Sequence, residues 1–136
     1  MLHIEGLDVS IEGSRILREV GLEVGPRELV CLVGRNGAGK TTTLRSIMGY
    51  LRPDRGVIEF QGQSLIGRPT HAVAALGISF APEDNAIFGD LTVAENIEIA
   101  TWTRAAGRPG PERIALAYSV FPGLRRYEAR RRGNTW

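Results

Sequence analysis

The sequence feature that most constrains the fold is a glycine-rich stretch, GRNGAGKT, at residues 34–41. It matches the pattern G-x-x-x-x-G-K-[ST] at every fixed position. A continuous apolar run at residues 29–33 comes directly before it, as in a strand that is buried on both faces. A helical pattern follows, with Leu44, Ile47 and Met48 on one face. Strand, glycine-rich loop and helix in this order predict a phosphate-binding loop in an α/β fold.

Each residue type in this loop has a physical role in holding phosphate. Glycines let consecutive backbone N–H groups turn toward an anion, and the helix that follows points its free N–H groups at the same place. Lys40 supplies a positive charge for the β- and γ-phosphates, and Thr41 supplies a hydroxyl for Mg²⁺. The alternative is a glycine-rich turn with one surface lysine, although Lys40 is the only lysine in the chain. The predicted nucleotide contacts are Gly34, Arg35, Asn36, Gly37, Ala38, Gly39, Lys40, Thr41 and Thr42.

Composition narrows the class of protein further. The chain has 136 residues, of which 43% are hydrophobic and 24% are charged. These values are ordinary for globular proteins and exclude a wholly disordered or collagen-like chain. A net charge of +2 makes no case for nucleic acid, and no nucleic-acid partner is expected. Cys31 is the single cysteine, so no internal disulfide forms, and no apolar run approaches the roughly 20 residues of a membrane span.

Apolar periodicity and turn residues predict elements on both sides of the loop. We expect strands at residues 2–10, 16–24, 29–33, 57–60 and 77–81. We expect helices at residues 40–50, 69–76, 92–100 and 112–121, with loops at 82–90 and 107–111. Thr92 is followed three residues later by Glu95, which predicts a capping box at the start of the third helix.

With these motifs in place, the sequence resembles the ATP-binding subunit of an ABC transporter. The stretch LHIEGLDVSIEGSRILREVGLEVGPRELVCLVGRNGAGKTTTL has that family's layout, a β-subdomain meander that leads into the phosphate loop, which is the Walker A motif. The stretch ISFAPEDNAIFGDLTVAENI resembles the family's Q-loop region. Both are most similar to importers of branched-chain amino acids. The resemblance implies an α/β P-loop NTPase core of the ABC type with an N-terminal β-subdomain and part of the helical subdomain.

The resemblance also implies a domain division, cofactors and partners. Residues 1–82 correspond to the β-subdomain and Walker A core, and residues 83–136 to the Q-loop and a partial helical subdomain. The implied cofactors are ATP and Mg²⁺. The implied partners are membrane permease subunits and a second ATP-binding subunit, in a homodimer or a heterodimer. The implied location is cytoplasmic, peripheral on the inner face of the plasma membrane. Ile87, Phe88 and Leu91 are candidates for the permease contact, or else ordinary residues of a small core.

Two further site residues follow from the resemblance. Glu83 stands at the Q-loop position, where the family's residue contacts Mg²⁺ or the attacking water, so Thr41 and Glu83 are the expected metal ligands. The alternative for Glu83 is an acidic residue in a solvated loop. Ile11 stands about 29 positions before Lys40, where the family usually has an aromatic residue that stacks on adenine. An isoleucine packs against a base without ring stacking, which is worth about 1–3 kcal/mol by analogy with base–aromatic pairs.

The family's other catalytic motifs do not occur in this sequence. RRGNT leads into the LSGGQ signature in the family, and here it is followed by Trp136. The Walker B strand with its Asp-Glu, the D-loop and the switch histidine are missing, and neither His3 nor His71 matches the switch position. By family the chain is an ABC-type ATPase, but without a complete catalytic set we expect it to bind ATP and not to hydrolyse it alone. We also expect the 29–33 strand to lack neighbours, which predicts marginal stability or association.

Three other interpretations remain open. A non-transporter ABC protein of translation or DNA repair shares the loop, although it would usually show a second ABC half or a long coiled coil. A small-molecule P-loop kinase leaves the β-meander and the Ala81–Glu83 segment unexplained. The third alternative is a non-functional fragment of a transporter subunit.

Overall fold

The computed structural model describes residues 1–83, 87–102 and 109–131. The chain divides into two compact units, Met1–Val73 and Ala74–Trp136. The domain division expected after residue 82 stays a prediction. Residues 107–108 of the predicted 107–111 loop lie outside the described residues. So do residues 132–135 of the RRGNT segment.

The first unit is built on a four-stranded antiparallel sheet. Its strands are β1 (Leu2–Ile11), β2 (Ser14–Val24), β3 (Arg55–Phe60) and β4 (Gln63–Ser64), in the order β2-β1-β3-β4. The first three confirm predicted strands, and the short β4 was not predicted. β1 and β2 form a hairpin with a two-residue turn, Glu12-Gly13, in which both residues have positive φ, 49° and 78°. Such turns match the right-handed twist of the strands they join.

One face of this sheet carries the core of the first unit. The most deeply buried side chains come from the sheet and from the segment after it: Ile4, Leu7, Val9, Leu17, Ile58, Leu65 and Val73. Helix α1 (Lys40–Ile47) adds Ile47, and Met48 follows it into the core. Leu44 was expected on the same face but is 39% exposed. The predicted amphipathic stripe is therefore narrower than the sequence indicated.

Helix α1 ends three residues earlier than predicted because a glycine stops it. Gly49 has a left-handed φ of 76°. Its N–H donates to the carbonyl of Ser46, and the N–H of Tyr50 donates to the carbonyl of Arg45. This pair of hydrogen bonds is a Schellman motif, which satisfies the last carbonyls of the helix. A Cβ at Gly49 would lie 2.5 Å from the carbonyl oxygen of Arg68, so the close approach of that backbone also requires glycine.

A buried carboxylate fixes the irregular middle of the β1–β2 pair. The register shifts three times, between the Ile4 and Leu7 pairs, the Leu7 and Val9 pairs, and the Val9 and Ser10 pairs. The first shift leaves an extra residue in β1, and each of the other two leaves an extra residue in β2. Asp8 is only 5% exposed and accepts hydrogen bonds from the Arg15 guanidinium and from the backbone N–H of Glu19. Glu19 has a φ of 48°. The Arg15 and Glu19 hydrogen bonds hold the pKa of Asp8 below its usual value. The carboxylate therefore stabilises a bulge that a regular ladder would not form.

The predicted strand at residues 29–33 does not form. Leu29 is 90% exposed and Val33 is 89% exposed. No other described segment is hydrogen-bonded to the backbone of these residues. A strand is defined by its neighbours, and an apolar run alone does not supply them. The expected lack of neighbours is thus observed among residues 1–83, 87–102 and 109–131.

The second unit is mainly helical in its described part. Helix α2 (Thr70–Ala75) spans the point where the two units divide. It is followed by α3 (Val93–Ile99), α4 (Gly110–Val120) and a 3-10 helix (Pro122–Tyr127). The predicted strand at 77–81 is wrong, since Gly77 turns with a φ of 95° and the residues after it are irregular. Residues 110–111 were expected in a loop but begin α4, where a proline fits because its missing N–H would have no helical partner.

The start of α3 confirms the predicted capping box. The Thr92 hydroxyl accepts from the N–H of Glu95 at 3.2 Å, and a Glu95 carboxylate oxygen accepts from the N–H of Thr92 at 2.7 Å. The hydrogen bonds from the backbone and hydroxyl of Thr92 lower the pKa of Glu95. Among the helices of the described residues, none is long and apolar enough to cross a membrane.

Replacing Asp8 with asparagine is expected to destabilise the first unit, because the amide cannot pair ionically with Arg15. The folded-state pKa of Asp8 is lowered, so the carboxylate adds stability that is complete above the usual carboxyl pKa. That stability is lost as the pH falls through the lowered pKa. The difference in unfolding free energy between the parent and Asp8→Asn should be constant near neutral pH and should shrink in acid. Urea denaturation across pH measures it, with the exposed Asp90→Asn as control. An equal effect of both substitutions would contradict this role.

The exposed 29–33 segment is expected to drive association of the chain. Apolar side chains beside unpaired backbone groups are a template for pairing with another chain. Leu29→Gln with Val33→Gln should lower the associated fraction in sedimentation velocity. Leu116→Gln, which changes a single apolar residue that is 46% exposed, is the matched control and should leave association unchanged. A parent chain that sediments as a monomer and melts in one sharp, reversible transition would argue against this expectation.

Candidate nucleotide-binding site

The glycine-rich loop crosses from the irregular 29–33 segment to the first turn of α1. The N–H of Ala38 donates to the carbonyl of Arg35 at 3.1 Å and closes a turn within the loop. Gly37 and Gly39 have left-handed φ values of 83° and 91°. Residues with a Cβ rarely adopt this conformation, so the two glycines let the backbone curl back on itself.

Gly39 anchors the end of the loop on the sheet of the first unit. It is buried, and a Cβ at this position would lie 2.5 Å from Cδ2 of Leu17, a β2 residue that is itself only 2% exposed. The absence of a side chain thus lets the loop rest directly on the hairpin. Sequence analysis missed Leu17, and no motif in the sequence marks it.

The side chain of Lys40 turns back over the loop that precedes it. Its Nζ donates to the carbonyl of Gly34 at 2.7 Å and to the carbonyl of Arg35 at 2.8 Å. An ammonium has three N–H donors, so one remains for another acceptor. The positive charge is therefore held against the backbone of the loop. The sequence predicts that Lys40 meets phosphate from this loop.

The N-terminus of α1 presents backbone donors that have no partner. The first helical hydrogen bond runs from the N–H of Thr43 to the carbonyl of Gly39 at 2.8 Å. The N–H groups of Lys40, Thr41 and Thr42 make no hydrogen bond with other described residues. Gly39 offers no side-chain cap, and the first turn contains no acidic residue. Free N–H groups at the positive end of a helix dipole are the arrangement that attracts anions in proteins.

Two hydroxyl groups of α1 donate hydrogen bonds to backbone carbonyls, and a third makes none with the described residues. The Thr43 hydroxyl donates to the carbonyl of Gly39 at 3.0 Å, and the Ser46 hydroxyl donates to the carbonyl of Thr42 at 2.9 Å. Thr41 is exposed, and its hydroxyl makes no hydrogen bond within the described ranges. This oxygen is free to bind a cation. The described residues contain no group of three or more His, Cys, Asp or Glu that could hold a metal. Mg²⁺ would fit here with phosphate oxygens and water among its other ligands, which is the usual composition of its sites beside nucleotides.

Two predicted site residues belong to other segments of the chain than the loop. Ile11 ends β1, opposite Ser14, and is 38% exposed. Glu83 is exposed in a turn and belongs to the second unit. The adenine contact assigned to Ile11 and the cation contact assigned to Glu83 stay predictions.

Two of the three apolar residues after Glu83 are on the surface of the second unit. Ile87 is 55% exposed and Phe88 is 57% exposed, whereas Leu91 is half-buried. Of the two alternatives left by the sequence, the small-core assignment does not suit Ile87 and Phe88.

Comparison with known proteins identifies the family. A model of the ABC transporter family matches residues 17–132 of the chain. The chain belongs to the ABC transporter family. This confirms the resemblance carried by the GRNGAGKT loop and by the segment around residues 78–97.

Curated ABC relatives include several ATP-binding proteins of transporters. A probable branched-chain amino acid transport ATP-binding protein, LivF, of Archaeoglobus fulgidus is 32% identical over 133 residues, which cover 98% of this chain and 56% of that protein. The LivG protein of Escherichia coli K12 is 35% identical over 100 residues, 74% of this chain and 39% of that protein. LptB of Haemophilus influenzae, a lipopolysaccharide export ATP-binding protein, is 39% identical over 97 residues, 71% of this chain and 40% of that protein. The chain thus spans about half or less of the length of these relatives.

A solved ABC cassette confirms the fold. The dimeric structure of a cassette in a post-hydrolysis state, bound to ADP and phosphate, matches with a TM-score of 0.81 and 20% identity. The match covers all of this chain and 63% of that one. The expected fold class, an ABC-type α/β P-loop core with an N-terminal β-subdomain, is therefore correct.

The contact between Gly39 and Leu17 predicts a specific cost in this ABC loop. Gly39→Ala adds a methyl group against Leu17 and an unfavourable φ, whereas Gly37→Ala meets nothing within 4 Å and bears the φ cost alone. We expect Gly39→Ala to lower the unfolding free energy by about 1–3 kcal/mol more than Gly37→Ala, the usual cost of overpacking. Denaturant melts of both variants measure the difference. Equal melts would show that the loop does not rest on Leu17.

Proposed function

We propose that this chain binds Mg²⁺-ATP through residues 34–42 and contributes this site to the ATP-binding subunit of an ABC importer. The observation that carries the proposal is the joint presence of three unpartnered N–H groups and the Lys40 ammonium at one helix start. A bare helix N-terminus attracts anions in general, and the additional charge from Lys40 suits a polyphosphate.

Each residue of the proposed site would make a different contact with Mg²⁺-ATP. The N–H groups of Lys40, Thr41 and Thr42 donate to phosphate oxygens. The third N–H of the Lys40 ammonium donates to a further phosphate oxygen without leaving the carbonyls of Gly34 and Arg35. The Thr41 hydroxyl provides one oxygen to Mg²⁺, which offsets negative charge on the phosphates when it is bound. Ile11 is proposed to pack against the adenine, and Glu83 to contribute a second cation ligand.

We assign the subunit to import of branched-chain or other hydrophobic amino acids. Support comes from the two branched-chain amino acid transport relatives, one of which aligns with 98% of the chain. The lipopolysaccharide export relative has comparable identity over a shorter stretch, 71% of the chain. The length of the amino-acid match therefore favours import.

We propose that the chain itself does not hydrolyse the ATP it binds. Phosphoryl transfer relies on positioning and on charges placed around the γ-phosphate. The loop supplies one set of these charges. The family's general base and signature helix have no counterpart among the motifs of these 136 residues.

The proposed partners are membrane permease subunits and a second ATP-binding subunit, at the inner face of the plasma membrane. Ile87 and Phe88 support the permease contact because more than half of each side chain is exposed. The matched cassette that was solved as a dimer supports the second partnership by analogy.

Lys40→Ala tests the proposed site directly. The variant should bind Mg²⁺-ATP at least about tenfold more weakly than the parent, because a charge-assisted hydrogen bond is worth about 1.5–3 kcal/mol. Arg45→Ala is the matched control, since it removes an exposed cation from the last turn of the same helix. Displacement of a fluorescent ATP analogue measures affinity, circular dichroism checks folding, and phosphate release checks hydrolysis.

Three results would overturn parts of this proposal. Equal affinity of the parent and Lys40→Ala would remove the loop from nucleotide binding. An equal loss in Arg45→Ala would reduce the effect to net charge. Sustained phosphate release by the parent that Lys40→Ala abolishes would show that the chain hydrolyses ATP by itself.

A further inference from the structure

One asparagine side chain in the second unit is bonded to three residues of the preceding turn. The Oδ1 of Asn96, in α3, accepts from the backbone N–H of Phe88 at 2.9 Å. Its Nδ2 donates to the carbonyls of Phe88 at 3.0 Å, Thr92 at 2.9 Å and Leu91 at 3.3 Å. Four hydrogen bonds from one amide join α3 to the whole 88–92 turn.

The same end of α3 also holds a second stretch of chain. The N–H of Val93 donates to the carbonyl of Arg130 at 3.0 Å, and the N–H of Ala94 donates to the carbonyl of Glu128 at 3.1 Å. Thr92 and Arg131 form a β-bridge. With the capping box, these contacts satisfy every backbone donor in the first turn of the helix. Asn96 therefore acts at a rigid point, and the shape of the 88–92 turn is set relative to a fixed helix end.

This turn, which lies within the Q-loop-like stretch of residues 78–97, carries an exposed aromatic side chain. Phe88 is 57% exposed, and its backbone is bonded to Asn96 on both its N–H and its carbonyl. Fixing the backbone of Phe88 before a partner binds lowers the conformational entropy that its side chain would lose on docking. We propose that Asn96 is a positioning residue that fixes the Phe88–Thr92 turn so that Phe88 is presented to the membrane subunit. This inference rests on the proposed permease contact and deepens it.

The chemistry of the site calls for an amide. The Asn96 side chain donates to the carbonyls of Phe88, Leu91 and Thr92 and accepts from the N–H of Phe88. Among neutral side chains, an amide such as that of Asn or Gln offers an acceptor oxygen together with two N–H donors. An ionised aspartate keeps the acceptor but sets its oxygens against three carbonyls. A protonated aspartic acid regains one donor. Asn96→Asp should therefore release the turn at neutral pH and partly restore it in acid.

Amide hydrogen exchange at Phe88 tests the hydrogen bonds in the full chain. Its N–H should exchange about tenfold faster in Asn96→Ala, and in Asn96→Asp at neutral pH, than in the parent. Only Asn96→Asp should regain protection relative to the parent as the pH falls. The parent supplies the baseline for the pH dependence of exchange, because it contains the other charged groups around this end of α3. These are Asp90, Glu95, Glu128, Arg130 and Arg131. The control Glu95→Ala disrupts the capping box and should leave Phe88 protected. Equal Phe88 exchange in all variants would overturn the proposal.

Site-specific cross-linking tests the consequence for docking. In a Cys31→Ser background, Phe88→Cys carries a thiol cross-linker in the chain assembled with the membrane subunits of a branched-chain amino acid importer from the same genome. Asn96→Ala and neutral Asn96→Asp should lower the cross-linked yield several-fold, and Glu95→Ala should not. Cross-linking that is equal in the parent and the Asn96 variants would overturn the role of Asn96. No cross-linking by the parent would overturn the permease contact at Phe88, and the exchange result would then show whether the hydrogen bonds of Asn96 stand without it.

Discussion

The constraint on which this structure depends is that the first N–H groups of every helix need acceptors from outside the helix. The chain meets it in opposite ways at two helices. At α3, a capping box and the carbonyls of Glu128 and Arg130 leave no first-turn donor unsatisfied. At α1, Gly39 provides no cap and the donors of Lys40, Thr41 and Thr42 are unpartnered. Unsatisfied donors are costly unless water or a ligand binds them. The difference separates a helix start that fixes structure from one that is open to an anion.

The open helix start is supported by the sheet of the first unit. Gly39 contacts Leu17 in β2, and β2 keeps its irregular register through the buried Asp8. The backbone carbonyl of Asp8 also accepts the N–H of Asp54, just before β3. A single aspartate thus ties the hairpin that supports the loop to the next strand of the sheet. An anion site whose donors are backbone groups depends on such support, because no side-chain rotamer can correct a displaced backbone.

The sequence predicted the elements that depend on neighbouring residues along the chain. The predictions failed for segments whose structure depends on another segment of the fold. The helix after the loop, the strands β1 and β2 and the capping box at Thr92 depend on residues close in sequence, and all of them are confirmed. The 29–33 run has the composition of a buried strand, but the described chain provides no neighbour for it. The strand predicted at residues 77–81 is wrong because the positive φ of Gly77 belongs to a turn. Asp8, Leu17 and Asn96 act through contacts with residues seven to 22 positions away, which no periodicity encodes.

The position of the only lysine has a steric reason. Every other side-chain cation of the Lys and Arg type in this chain is arginine, yet the cation of the loop is Lys40. Its ammonium donates to two carbonyls, at 2.7 and 2.8 Å, from within a curl of backbone closed by one hydrogen bond. A compact ammonium can share its three donors between the loop and a ligand. A guanidinium is a wide planar fork that directs its donors in fixed directions, and it would bond either the loop or the ligand. The geometry of the loop thus accounts for lysine here, in a chain that otherwise uses arginine.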